Sequence, residues 1–281
     1  MRGRGSGVIG GNRKSAVRKR VANQEPGAVR KGNQLQRFPS PLSNAPAAAP
    51  EFRQRLLRWF RRHGRDLPWR RTRDPYHVIV SEFMLQQTQV SRVEAYYHRF
   101  LDRYPSIESL AAAPTGMVRE SWDGLGYYRR AANLHRLAQE VVRDRAGVIP
   151  SDPAELRQLP GVGRYTAGAV ASFAFERSAA AVDTNVARVL RRAFHPRAPA
   201  KALVTRLWAT AEQIVPRRGK SAWAFNQGIM ELGALICTAR IARCGECPVR
   251  PACATGRRSP VTLTPARSGA KARRRGPKLL S

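Results

Sequence analysis

The sequence predicts an all-α protein that closes on a cysteine-rich loop. Three observations carry that reading. Apolar residues recur at helical spacing along most of residues 51–236, and no stretch alternates convincingly with period two. Proline, glycine or short polar links separate the helical stretches. All four cysteines of the chain, Cys237, Cys244, Cys247 and Cys253, lie in its last fifth, spaced C-x6-C-x2-C-x5-C.

The elements follow in order. Glu51–His63 places Phe52, Leu56 and Phe60 on one face and ends at Gly64 and Pro68. Val78–Tyr104 reads as one long amphipathic stretch closed by Pro105. Gly126–Asp144 is another, Ala154–Leu159 is short, and Arg164–Phe175 is small and apolar. Thr184–Phe194, Lys201–Val215 and Ser221–Ile236 complete the helical set. With 42% hydrophobic residues, the 281-residue chain can bury a real core in one or two domains.

A formal net charge of +32 makes nucleic acid the default partner. A membrane span is not supported, because no apolar run approaches the ~18–20 residues needed. Residues 1–50 carry ten Lys/Arg against one acid, Glu25, and residues 254–281 carry eight against none. Both are rich in small and polar residues without apolar period and read as disordered basic tails. An organellar transit peptide is the minor alternative for the first fifty residues. About fifteen of the positive charges remain on 51–253, so the folded part is basic too.

The cysteine spacing brings four soft ligands into a single short loop, as iron–sulfur clusters require, and a [4Fe–4S] cluster is the expected cofactor. Structural zinc more often uses two separated C-x2-C knuckles, and disulfides suit a chain with a secretory signal, which is not read here. A second signal is Leu159-Pro160-Gly161-Val162-Gly163, which joins two helices. Its glycines permit a tight turn, and the free N–H groups after Gly163 can hold a phosphate. This is a helix-hairpin-helix pattern, a sequence-independent clamp on the DNA backbone.

The hairpin, the Val182-Asp183-Thr184-Asn185-Val186 segment about twenty residues downstream and the four-cysteine loop together resemble the helix-hairpin-helix superfamily of base-excision DNA glycosylases. Within that superfamily the chain is similar to the A/G-specific adenine DNA glycosylases (the MutY type). The likeness is carried by Ser81-Glu82-Phe83-Met84-Leu85-Gln86-Gln87-Thr88-Gln89-Val90, Leu67-Pro68-Trp69-Arg70, Gly124-Leu125-Gly126-Tyr127-Tyr128 and Phe225-Asn226-Gln227, and runs from about residue 52 to 253. It implies a helical barrel module over 73–183 and a second module joining 51–72 to 184–253. It also implies a monomer that acts on double-stranded DNA containing mispaired adenine, in the cytoplasm with the nucleoid.

The residues make chemical sense on their own. Glu82 interrupts the apolar segment His77-Val78-Ile79-Val80-Ser81-Glu82-Phe83-Met84-Leu85, and a carboxyl among apolar neighbours favours its neutral, proton-donating form. Adenine leaves poorly as an anion, so protonation at its N7 assists departure. A second carboxylate then stabilises the oxocarbenium-like sugar, and Asp183, expected at a helix N-cap, fits that role. The bland alternatives are an ordinary N-cap for Asp183 and a solvated helix face for Glu82.

The resemblance assigns proton donation to Glu82, transition-state stabilisation to Asp183 and support to Asn185 and Tyr165. Strand-cleaving relatives carry a lysine where Tyr165 stands. A tyrosine cannot form a Schiff base, so a monofunctional glycosylase is expected. Gln87 and Tyr127 match positions that wedge into the base stack. Trp69, Arg70, Leu85, Thr88 and Gln227 match the base-binding side, while Tyr128 and Trp122 are expected in the core.

Two departures stand out. Relatives often carry a further C-terminal domain resembling Nudix hydrolases that reads 8-oxoguanine, whereas 28 residues follow Cys253 here. Thr184 also occupies a position where glycine is common. The rival readings are a thymine glycosylase acting on G·T mismatches and a non-catalytic DNA-binding module.

Overall fold

The computed structural model describes residues 45–259, and most of the two expected tails, 1–44 and 260–281, lies outside them. Among the described residues the chain is all-α, and the sole extended pairing is an isolated bridge between Cys237 and Ala242. The helices are α1 (Ala49–His63), α2 (Pro75–Leu85), α3 (Val90–Arg103), α4 (Ile107–Ala112), α5 (Thr115–Glu120) and α6 (Arg129–Arg145). They continue as α7 (Pro153–Leu156), α8 (Arg164–Phe173), α9 (Thr184–Phe194), α10 (Ala200–Ile214) and α11 (Gly219–Leu235).

Local chemistry explains most boundaries. Asp74, Asp152 and Asp183 each cap a helix by accepting from first-turn N–H groups, and Ser106 and Ser109 form a reciprocal capping box at α4. Pro75 and Pro153 sit where a missing N–H costs nothing. In α1 the four-residue spacing of Phe52, Leu56 and Phe60 puts all three in the core, as their period predicts.

Two apolar cores result. One is formed by α2 to α8 around Phe83, Met84, Phe100, Leu110, Trp122, Leu134 and Leu137. The other is formed by α1, α9, α10 and α11 around Phe52, Leu56, Leu190, Ile214 and Leu232. Leu67 and Trp69 pack with the first core although they follow α1 directly. Helix α2 is buried on every side, from Tyr76 and Val78 through Met84, so the single carboxyl it carries, Glu82, is enclosed.

Several expectations need correction. Val78–Tyr104 is not one helix: the chain breaks at 86–89, where Gln87 adopts a left-handed φ of 57°. The carbonyls freed at the end of α2 are taken up by Arg130, which accounts for the break being stable. The helix expected from Gly126 begins at Arg129, because Tyr127 also lies in the left-handed region, at φ 50°. The two six-residue helices α4 and α5 are too short for periodicity to reveal. The short helix expected to reach Leu159 stops at Leu156. Trp122 is fully buried as expected, but Tyr128 is 40% exposed and stacks outside the core under Arg119. Residues 254–259 are held against α9, with Ala254 N–H donating to the Ala193 carbonyl at 2.9 Å and the Thr255 hydroxyl to Arg192 O at 2.7 Å.

Candidate active-site cleft

A cleft opens where α2, its following loop, α8, α9 and α10 meet. Its walls include Glu82, Leu85, Gln87, Thr88, Tyr165, Asp183 and Asn185, together with Val204, Leu207 and Trp208 of α10. Seven residues singled out in the sequence therefore share one cleft, although they span about one hundred positions of the chain.

Glu82 lies at its inner end, 4% exposed, with Oε2 lacking any hydrogen-bond partner. Burial pushes its carboxyl up to about 7; a hydrogen bond from the half-buried Tyr165 opposes the rise, the Asp183 charge adds to it, and Arg70 opposes it. Burial, then the charges of Glu82 and Asp183, hold the Tyr165 phenol protonated well above its usual range. Asp183 caps α9: one oxygen accepts from Val186 N–H at 2.6 Å and the other from the Asn185 amide at 3.0 Å. Burial raises Asp183, and the Val186 and Asn185 hydrogen bonds work against that rise. Asn185 is held in turn by Arg188, which donates to its Oδ1 at 2.7 Å and to Gly233 O at 2.8 Å.

Trp69, Arg70 and Gln227 stand behind this cleft rather than in it. Trp69 packs edge-on against Tyr97 in the first core. Arg70 donates to Gln227 at 2.8 Å and forms a buried ion pair with Glu231 at 2.8 Å. Arg65 pairs with the other Glu231 oxygen at 2.6 Å. Burial alone would raise Glu231, but the hydrogen bonds and charges of Arg65 and Arg70 bring it below its ordinary value. Tyr127 is 62% exposed at the tip of its turn.

The Pro160-Gly161-Val162-Gly163 hairpin lies between α7 and α8. Gly161 has φ 76° and packs so closely that a Cβ would meet the Asn133 side chain at 2.7 Å and Phe83 at 3.0 Å. Gly163 is the N-cap of α8 and offers no side-chain cap, so the first N–H groups of that helix are open to an anion. Sequence reasoning did not find Arg130, Arg188, Glu231 or Trp208. Two signals were available: Arg130 shares the helical face of Leu134, Leu137 and Val141, and Glu231 interrupts an apolar helix as Glu82 does.

Cys237, Cys244, Cys247 and Cys253 are free thiols lining one apolar-walled cavity with Val189, Leu232, Ile236 and Val249. Cys237 Sγ accepts from Arg192 at 3.3 Å and Cys253 Sγ from Gly256 N–H at 3.2 Å. Burial, with the other three cysteines adding, pushes the Cys247 thiol up to about 12. Among the described residues no His, Cys, Asp or Glu group is drawn tightly enough to hold a single metal ion.

Residues 80–213 match the family described as HhH-GPD superfamily base excision DNA repair protein. A solved structure of a thermostable thymine-DNA glycosylase is 32% identical with a TM-score of 0.69, and the match covers 75% of this chain and 98% of that one. The chain belongs to the HhH-GPD superfamily. Another superfamily structure, a trapped endonuclease III–DNA covalent intermediate, is 26% identical with a TM-score of 0.63 over 74% of this chain and 95% of that one. The adenine DNA glycosylase of Mycobacterium tuberculosis is 47% identical over 196 residues, covering 69% of this chain and 64% of that protein. The chain thus spans a little under two thirds of that relative's length. The HhH-GPD match contains Glu82, the hairpin, Tyr165, Asp183 and Asn185 and ends before the cysteines. The described part holds two lysines, Lys201 and Lys220, and neither lines the cleft.

Proposed function

We propose that the protein is a DNA glycosylase that hydrolyses the N-glycosidic bond of adenine mispaired with 8-oxoguanine or guanine. The observation that carries the proposal is Glu82, a buried carboxyl with a free oxygen facing a cleft, lying beside a second carboxyl that is held by its own hydrogen bonds. With Glu82 at about 7, a large share of it carries a proton at neutral pH. It donates that proton to N7 of the extruded adenine, the C1′–N9 bond breaks, and the base leaves neutral. The Asp183 carboxylate, fixed by Val186 N–H and Asn185, stabilises the positive sugar until water adds at C1′. The proton released by water returns to the Glu82 carboxylate.

Tyr165 lies beside Glu82 and offers no amine, and no described lysine lines the cleft, which supports hydrolysis without strand cleavage. Likeness to a DNA-bound endonuclease III, a net charge of +32 and the uncapped hairpin helix support double-stranded DNA as the partner of a monomeric enzyme. No described helix is long and apolar enough to cross a membrane. The same reading has the enzyme act beside the DNA, in the cytoplasm with the nucleoid.

Four free thiols lining one cavity, in the C-x6-C-x2-C-x5-C spacing, suit a [4Fe–4S] cluster better than zinc. Cys237, Cys244, Cys247 and Cys253 would hold it. Bound there, it would brace the cysteine loop; hydrolysis is redox-neutral and needs no electron from it.

The likeness to a thymine-DNA glycosylase keeps G·T mismatches as the second reading. Base release from A·8-oxoguanine, A·G and G·T duplexes decides between them. Free adenine from the first two supports the proposal. Thymine from the third alone overturns it, and release from none overturns both readings.

A further inference from the structure

The buried cation that the chemistry above does not use is Arg130, the second residue of α6. It is 6% exposed, and no carboxylate pairs with it among the described residues. All of its hydrogen bonds go to the end of α2 with the loop that follows it, and to the turn at 125–126. Nη1 donates to the carbonyls of Phe83 at 3.0 Å and Met84 at 2.7 Å, and to that of Gln86. Nη2 donates to the Thr88 hydroxyl at 3.0 Å, then crosses to the Leu125 and Gly126 carbonyls at 3.1 and 3.0 Å. Its planar group lies 5.6 Å from the ring centroids of both Trp122 and Tyr127.

Closing the end of α2 would need only the Phe83 and Met84 contacts. The remaining bonds join that helix end to a turn about forty residues away. On each side of Arg130 stands a non-glycine residue in the left-handed region: Gln87 at φ 57° and Tyr127 at φ 50°. Such conformations persist only when the surroundings fix them. Here one guanidinium fixes both.

We infer that Arg130 is a positioning residue that locks the Gln87 loop and the Tyr127 turn into one rigid unit, so that both tips enter the duplex in a set relation. The inference rests on the proposed glycosylase reading and on the resemblance by which Gln87 and Tyr127 match wedge positions in the base stack. Arg130 itself touches neither substrate nor reacting atoms. A lysine could not replace it, since a point ammonium with three donors cannot span two sets of acceptors as a planar fork does.

The test compares the full chain with Arg130→Lys in single-turnover adenine release from two duplexes. In one, adenine faces 8-oxoguanine and must be unstacked; in the other it faces an abasic analogue and is already loosely held. Arg130→Lys is expected to slow release about tenfold or more on the first and to stay within about threefold of the parent on the second, because only the first depends on forced base extrusion. Equal losses on both duplexes, or none on either, would overturn the inference. Hydrogen exchange of the free protein tests the lock whichever base is released. In Arg130→Lys the amides at 86–88 and at 125–127 should lose protection together, and opening of one loop alone would overturn it. If Arg130→Lys folds poorly, Thr88→Val removes one acceptor and leaves the arginine in place. It should show the same joint loss of protection to a smaller degree, and unchanged exchange in the 125–127 turn would count against the lock.

Discussion

Replacing Glu82 by Gln should make the protein more stable at neutral pH while abolishing base release. The Glu82 carboxyl is raised from 4.5 to about 7 in the folded protein, mainly by burial. A group raised in this way contributes its full stability below the unfolded value, near pH 4.5. That contribution is lost as pH climbs to the folded value near 7 and stays lost above it. At about 1.4 kcal/mol per unit, the loss is on the order of 3 kcal/mol. Glutamine does not titrate, so Glu82→Gln escapes it. For a folded part of this size, that difference corresponds to a midpoint about 6–12 °C higher. The amide changes how the partnerless Oε2 position is filled, but that offset does not vary with pH. Thermal melts of both full-length proteins in matched buffers from pH 4.5 to 8.5 measure the gap. It should be near its baseline at pH 4.5, widen through pH 5–7 and then level off. A gap that stays constant across the range would show that Glu82 is not a buried, raised acid, and the proposed proton donation would fall with it. In the parent enzyme the same group should make single-turnover release decline about tenfold per pH unit above pH ~7.

Tyr165→Lys should introduce borohydride-trappable strand cleavage where the parent leaves an intact abasic strand, and absence of any trapped complex would place position 165 too far from the sugar. Glu231→Ala would leave the buried Arg70 without its carboxylate, beside the half-exposed Arg65, and should cost about 3–5 kcal/mol, read as a large drop in melting midpoint; a drop of only a degree or two would mean that Arg70 is well solvated. Protein purified without oxygen should be brown with about four irons per chain, and Cys244→Ser should lower both iron content and DNA affinity; stoichiometric zinc without iron would refute the cluster.

The fold class and most long helices were legible because their apolar residues repeat with a clear period, as in α1 and α9. The break between α2 and α3 was not legible. Gln86-Gln87-Thr88-Gln89 contains neither proline nor glycine, and the break depends on an arginine forty residues further on. Glu82 and Asp183 could be singled out from their local settings, an acid inside an apolar run and a residue before a helix. Glu231 satisfies the first criterion equally well, yet two arginines neutralise it and turn it into a structural anchor. Sequence shows where an acid is buried; only the packed structure shows whether a cation reaches it first. Trp69, Arg70 and Gln227 illustrate the same limit, since their motifs are intact while their side chains support the cleft from behind. Tyr128 fails for another reason: both tyrosines of this turn stay exposed, and sequence does not show that the Tyr128 ring lies against Arg119 rather than in the core.

Asp183 joins two traits in one side chain. Its carboxylate holds the first turn of α9, the helix from which Asn185 and Arg188 project, and on the proposed reading it also carries the charge that the departing sugar needs. Selection on helix stability and selection on turnover therefore act on a single position. Asparagine is the neutral residue nearest in shape that keeps the cap while discarding the charge, and serine or threonine can cap as well. Variation at 183 should accordingly be pleiotropic: a replacement without a side-chain acceptor loses cap and chemistry together, and a lineage that abandoned catalysis would still be held to a capping residue there.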